Sequence, residues 1–114
     1  MNAQASAVYA LDELSVKPGS LDEMRRRIVE EYAPRVGAVG LTLRDLFMDP
    51  AVELLDRPTD LLVLWEIEGG EFWKMRLGAA RDPAIAAFWT EVEPLLASRR
   101  WRLMVRPDDP EVMR

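Results

Sequence analysis

Between Asp60 and Gly69 the chain reads Asp-Leu-Leu-Val-Leu-Trp-Glu-Ile-Glu-Gly, apolar without a break from Leu61 to Trp65 and again at Ile67. The run is too short for an isolated helix and rich in branched and aromatic side chains, so it predicts a strand that Gly69-Gly70 closes. Side chains alternate along a strand. Leu61, Val63, Trp65 and Ile67 therefore share one face, and Leu62, Leu64 and Glu66 the other. Both faces need cover. Three more stretches alternate. In Val8–Val16, Val8, Ala10, Asp12, Leu14 and Val16 oppose Tyr9, Leu11 and Glu13, with an acid on each side. In Leu41–Met48, Leu41, Leu43, Asp45 and Phe47 oppose Thr42, Arg44, Leu46 and Met48, before Asp49-Pro50 ends or bulges the strand. In Arg100–Arg106, Trp101, Leu103 and Val105 oppose Arg102 and Met104.

Between these strands the period changes. After the turn Lys17-Pro18-Gly19, Ser20 and Glu23 have the spacing of a capping box. Leu21, Met24, Ile28 and Tyr32 then form one stripe of a helix that Pro34 should stop at about Ala33. Pro50–Thr59 is a connection whose Val52, Leu54 and Leu55 are apolar enough to fold over something. Glu71–Ala80 predicts a short helix with Phe72, Met75 and Ala79 on one stripe and Trp73 off it. Asp82-Pro83 restarts a helix as N-cap and first-turn proline. It carries Ile85, Phe88, Trp89, Val92, Leu95 and Leu96, with Pro94 as a kink near its end. The order β-α-β-β-α-β is that of a ferredoxin-like α+β fold. Right-handed crossovers put the first and third strands in the centre of a four-stranded antiparallel sheet with the helices on one face. The other face would expose several of Leu62, Leu64, Trp65, Phe47, Leu14 and Met104. A two-fold dimer, sheet facing sheet, is the simplest cover for so large an apolar surface.

Composition narrows the chemistry. A length of 114 residues is one domain, 1–114, with a core of about 8–106 and an acidic, proline-punctuated tail over 107–114. Apolar content of 49% and charged content of 31% are those of an ordinary globular protein. No apolar run approaches the ~20 residues of a membrane span. The start, Met1–Ala7, lacks the pattern of a signal peptide, so the cytoplasm is the expected location. A net charge of −5 disfavours nucleic acid, and Arg25-Arg26-Arg27 reads as a solvated helix face. With neither cysteine nor histidine, the chain has no thiolate, no Ser-His-Asp triad and no His-ligated zinc. Haem is disfavoured too, although methionine and tyrosine remain as ligands. Asp45, Asp49 and Glu53 are a loose carboxylate set, and neither a metal nor another cofactor is expected.

Tyr9–Gly19 (Tyr-Ala-Leu-Asp-Glu-Leu-Ser-Val-Lys-Pro-Gly) resembles the first strand and turn of NIPSNAP-like proteins in the dimeric α/β-barrel superfamily. The strand through Trp65, followed by a helix carrying Arg76, is similar as well. So is the segment with Asp82-Pro83, Phe88-Trp89 and Pro94-Leu95-Leu96. The resemblance spans Val8 to Val105 and implies a dimeric α/β barrel. That superfamily includes cofactor-free monooxygenases, polyketide cyclases, muconolactone isomerase-like enzymes, haem-degrading enzymes and proteins without known activity, so it implies a fold and a dimer more firmly than a reaction.

Candidate chemistry sits where polar residues interrupt apolar strands: Asp12 or Glu13, Arg44 or Asp45, Glu66 and Arg102. Each could face the cavity under the helices or the space between two sheets. A carboxylate in an apolar cavity has a raised pKa and can act as a general base, which makes Asp12 and Asp45 the candidates, with Tyr9 and Tyr32 as further proton carriers. Arg76 offers a rigid fork of donors to a ligand carbonyl, carboxylate or enolate. Its competing reading is a structural ion pair with Glu66, Asp45 or Asp12. Tyr9, Phe47, Trp65, Glu66, Trp73 and Met104 are candidate ligand contacts, whereas Phe88, Trp89 and Trp101 read first as core. The expected function is cofactor-independent chemistry on a hydrophobic, aromatic or polycyclic metabolite: proton transfer, cyclisation, isomerisation or oxygenation. The alternative is a non-catalytic dimeric ligand-binding or accessory module.

Overall fold

The computed structural model describes residues 7–108; residues 1–6, and 109–114 of the predicted tail, lie outside them. The strands are β1 (Ala7–Val16), β2 (Thr42–Asp49), β3 (Thr59–Glu68) and β4 (Leu96–Met104). Helices α1 (Leu21–Arg27) and α2 (Ala33–Gly37) are joined by a π-helical turn (Ile28–Tyr32), while α3 (Phe72–Arg81) and α4 (Pro83–Val92) follow β3. The sheet order is β2-β3-β1-β4, antiparallel throughout, with the two most apolar strands in the centre. This is the expected α+β, ferredoxin-like arrangement.

All the buried side chains of the two central strands point one way. Val8, Ala10, Asp12, Leu14 and Val16 of β1 and Leu61, Val63, Trp65 and Ile67 of β3 are sealed beneath Leu21, Met24, Ile28, Tyr32 and Val36 of the first helical segment and Phe72, Met75, Ile85, Phe88 and Val92 of the second. Trp65 and Leu14 thus belong to the helix side and not to the uncovered face. The molecule is 20 Å across its shortest axis, the thickness of one sheet and one layer of helices.

Several local expectations are corrected. The first helix does not stop at Ala33. It widens into a π turn, in which the Ala33 N–H bonds to the Ile28 carbonyl, and resumes as α2 with Pro34 in its first turn. The wider turn accommodates a residue that lacks an N–H and would crowd the carbonyl four positions back. Ser20 stands at the N-cap of α1 but makes no side-chain capping bond, whereas Asp82 accepts a bond from the Ala84 N–H. In β2, Leu43 pairs with Trp65 and Asp45 with Leu64, so Arg44 is an extra, bulged residue. The bulge turns Asp45 and Phe47 to the open face and Leu46 and Met48 to the helix face, reversing the strict alternation downstream of it. The last helix ends at Val92, and β4 begins at Leu96, four residues before the predicted start. The β2–β3 loop does not fold inward, and its Val52 and Leu55 are exposed.

The core predicts a mutational contrast. Ile67→Ala empties a fully buried site on the helix side and should lower stability by about 2–5 kcal/mol, read as the midpoint of urea denaturation. Val52→Ala in the exposed loop should leave that midpoint within about 0.5 kcal/mol of the parent protein.

Candidate functional site

Asp12 lies mid-strand on the helix side of β1 and is 1% exposed. Its Oδ2 accepts a hydrogen bond from the Trp65 indole Nε1 at 3.0 Å, and its Oδ1 accepts from Arg99 Nη2 at 3.0 Å and Nε at 3.2 Å. The β1–β4 register explains the meeting. Asp12 pairs with Trp101 and Leu14 with Arg99, so Arg99 stands one pleat away on the same face. Its guanidinium in turn lies 3.5 Å from the ring centroid of Trp89. Tyr32, delivered by the π turn, meets Trp65 and Trp89 edge-on at 5.5 and 4.9 Å and lies 4.7 Å from Phe88.

Burial pushes the Asp12 carboxyl above the ordinary aspartate range, although the charge of Arg99 and the bonds from Trp65 and Arg99 pull it partly back. Burial likewise raises the Tyr32 phenol, with the negative charge of Asp12 adding to the effect. Tyr32 is therefore a proton-bearing donor at neutral pH.

Tyr32, Trp89, Arg99 and Trp101 border a cavity of about 380 Å³ between the helices and the β4 side of the sheet. Val36, Val39, Leu41, Met75, Ile85, Trp89 and Trp101 make its apolar wall; Tyr32, Arg76 and Arg99 are the polar groups that reach it. A larger hollow of about 700 Å³ lies on the outer side of the helices, between the π turn and α4. Both hollows are open to solvent; this one is rimmed by Glu30, Glu31 and Glu91, no strand residue reaches it, and Arg27 already bridges Glu31 and Glu91 at 2.8 and 2.7 Å.

The predicted site residues divide between places. Of these, Arg76 lines the cavity, whereas Asp12 and Trp65 lie behind its wall, joined to it through Arg99. Among the described residues Arg76 has no carboxylate within 4 Å, and its guanidinium lies 5.3 Å from the Trp101 ring centroid. The ion pairs considered for it are made by other arginines: Arg99 takes Asp12, and Arg44 takes Glu66 at 2.9 Å. Asp45 lies on the opposite side of the sheet, exposed on its edge strand, and is not brought together with Asp12. Tyr9, Phe47, Glu66 and Met104 also line the open face, where the Tyr9 hydroxyl accepts a bond from Arg106 Nη2 at 3.3 Å. Trp73 is 69% exposed and packs edge-on against Phe72 at 5.0 Å, outside the cavity. Asp45, Asp49 and Glu53 form no cluster able to hold a metal ion; none exists among the described residues. Arg99, Trp89 and Trp101 were not singled out as site residues by their spacing. No signal marks Arg99, because the predicted last strand begins at Arg100 and leaves it outside.

The same fold recurs in solved structures. A NIPSNAP family protein of unknown function from Agrobacterium tumefaciens superposes with a TM-score of 0.69 at 12% identity, over 97% of this chain and 97% of that one. An uncharacterized NIPSNAP domain protein from Burkholderia xenovorans gives 0.68 at 16% identity, over 90% and 96%. A candidate antibiotic biosynthesis monooxygenase from Nitrosomonas europaea gives 0.61 at 11% identity, over 96% and 98%. At these identities the likeness is one of fold, and the fold is NIPSNAP-like. No family model and no curated protein matches the chain.

Removing the carboxylate tests the junction. Asp12→Ala strands the Trp65 indole N–H and unpairs the Arg99 charge, and should cost about 3–5 kcal/mol in urea denaturation. Asp12→Asn keeps an acceptor for the indole and should cost less. The folded state holds the Asp12 proton more tightly than the unfolded chain does, so the penalty for its charge is present above the folded pKa and is relieved as pH falls through it. The parent protein should therefore gain stability relative to Asp12→Asn on acidification from pH 7 towards the ordinary aspartate range, as measured by paired urea titrations.

Proposed function

We propose that this NIPSNAP-like chain works as a homodimer in which each protomer holds one flat, hydrophobic small molecule between its sheet and its helices. The observation that carries the ligand is the cavity. Its volume of about 380 Å³ falls within the roughly 300–1,000 Å³ of small-molecule sites, and its wall is apolar with a few polar groups at fixed positions. The two-ring face of a bicyclic aromatic fits against Trp89 and Trp101.

The dimer rests on the sheet's other side. Leu11, Leu62, Leu64, Phe47 and Met104 form an apolar field there, with Phe47 half-exposed. Glu13 bridges to Arg102 at 2.8 Å at one margin, and Glu66 bridges to Arg44 at the other. A field of this kind, ringed by charge pairs, suits a two-fold contact with its own copy. Among the described residues no helix is long and apolar enough to cross a membrane. The cytoplasm remains the proposed setting.

A catalytic version of this reading keeps the same cavity. Proton transfer, cyclisation, isomerisation or oxygenation of an electron-rich ring would draw on the Tyr32 hydroxyl as donor and on the arginines as partners of developing negative charge. The likeness to a candidate monooxygenase favours it. Asp12 is a poor base for it, since both its oxygens are engaged and almost none of its surface is open. Binding is therefore the primary reading, and Asp12 a positioning residue within it.

Two measurements test the proposal. Light scattering should give a mass twice the 13.0 kDa of the chain at micromolar concentration, and Leu64→Asp should halve that mass while preserving the circular dichroism spectrum. Calorimetric titration with 2-naphthamide should show saturable binding. Ala79→Phe, which fills the cavity from α3, should abolish it without loss of fold. Binding that survives Ala79→Phe would place the probe elsewhere and remove the support for a cavity ligand.

A further inference from the structure

We infer that the ligand of this cavity carries a negative charge, a carboxylate or an ionised enol or phenol, whose oxygens sit between Arg76 and Arg99. The inference rests on the ligand-binding reading above and narrows it to one chemical class. Among the described lining residues both charged groups are guanidinium cations and none is a carboxylate. Asp12, the acid behind them, is sealed from the cavity by its own partners.

Each arginine has donors without a partner among the described residues. Arg99 spends Nε and Nη2 on Asp12, which leaves the opposite corner of its planar fork, Nη1, without a partner among the described residues. Stacking on Trp89 and the double bond to Asp12 fix the plane of that fork, so its free corner is held in place before any ligand arrives. Like Arg25, Arg35, Arg81 and Arg106, Arg76 has no carboxylate within 4 Å among the described residues. Of these five it alone lines this cavity, where it leans over the Trp101 ring beside the apolar wall. A neutral ligand would cover that charge without answering it, which is unfavourable. A cation would be repelled. An anion receives charge-assisted bonds from two guanidinium forks, and Tyr32, still bearing its proton, offers a third donor. Val36, Val39, Leu41 and Ile85 give the ligand's apolar part a surface next to its charge.

The test compares two probes of one shape, 2-naphthoate and neutral 2-naphthamide, titrated calorimetrically into the full chain. The carboxylate should bind about tenfold or more tightly than the amide, the size of effect that charged hydrogen bonds produce. The gap should narrow as sodium chloride is raised. Arg76→Met should shrink the gap to a few-fold, chiefly by weakening 2-naphthoate. The double variant Asp12→Asn/Arg99→Met, which leaves no carboxylate unpaired, should do the same, with circular dichroism confirming its fold. Equal affinities, or a gap that Arg76→Met leaves intact, overturn the charge assignment while the cavity ligand stands. If neither probe binds, the ligand-binding reading itself fails and this inference falls with it.

Discussion

The two central strands present two apolar faces, and the chain supplies helices for only one of them. Alternation along β1 and β3 sends Val8, Ala10, Leu14, Leu61, Val63, Trp65 and Ile67 beneath the helices, and leaves Leu11, Leu62 and Leu64 on the other side. A one-residue slip in the pairing of β1 with β3 would exchange the two sets and put Trp65 in water. Register is thus fixed by burial on one side. The identity of the open side, including its acid–arginine margins, is a consequence of that choice and not a separate feature of the sequence.

Asp12 obeys the same alternation at a chemical cost. Its position on β1 forces a carboxyl group under the helices, where desolvation penalises the charge. Two long side chains from neighbouring strands offset that penalty: Trp65 from β3 with a neutral donor and Arg99 from β4 with a charged one. Because β1 lies between those two strands, one carboxylate ties three of the sheet's four strands together through side chains as well as through the ladder. Trp89 closes the arrangement from the helix layer by stacking on Arg99. The cavity lies where this polar junction meets the apolar wall.

Much of this architecture was legible because it depends on short-range periods. The period-two run at Leu61–Ile67 and the stripe Leu21, Met24, Ile28, Tyr32 identify their buried faces without reference to anything distant. What failed to show depends on partners. The Arg44 bulge is a property of the β2–β3 register, and a single strand read alone gives Asp45 and Phe47 the wrong neighbours. The continuation past Pro34 needs a π turn, whose widening leaves no mark in composition. The early start of β4 was hidden because Leu95 and Leu96 fit the helical stripe of α4 as well as they fit a strand. That start decides which β4 residue stands beside Asp12. Arg76 was found as a candidate from its place after the central strand, and Arg99, its counterpart, was not.

The junction is hard to account for by stability alone. Replacing a buried ion pair with apolar side chains of similar volume is commonly neutral or stabilising, and a carboxylate under a helix layer is the expensive half of such a pair. Leucine at position 12 with a small apolar residue at position 99 would remove the buried charge, at the cost of the one acceptor for the Trp65 indole N–H. What that exchange would remove is a guanidinium held against Trp89 at the border of the cavity. Arg99 is too exposed to need a buried partner for its own solvation, so the acid serves to fix its direction. The energetic logic therefore runs from Asp12 outward: the charge beneath the helices holds the Arg99 guanidinium against Trp89, at the border of the cavity.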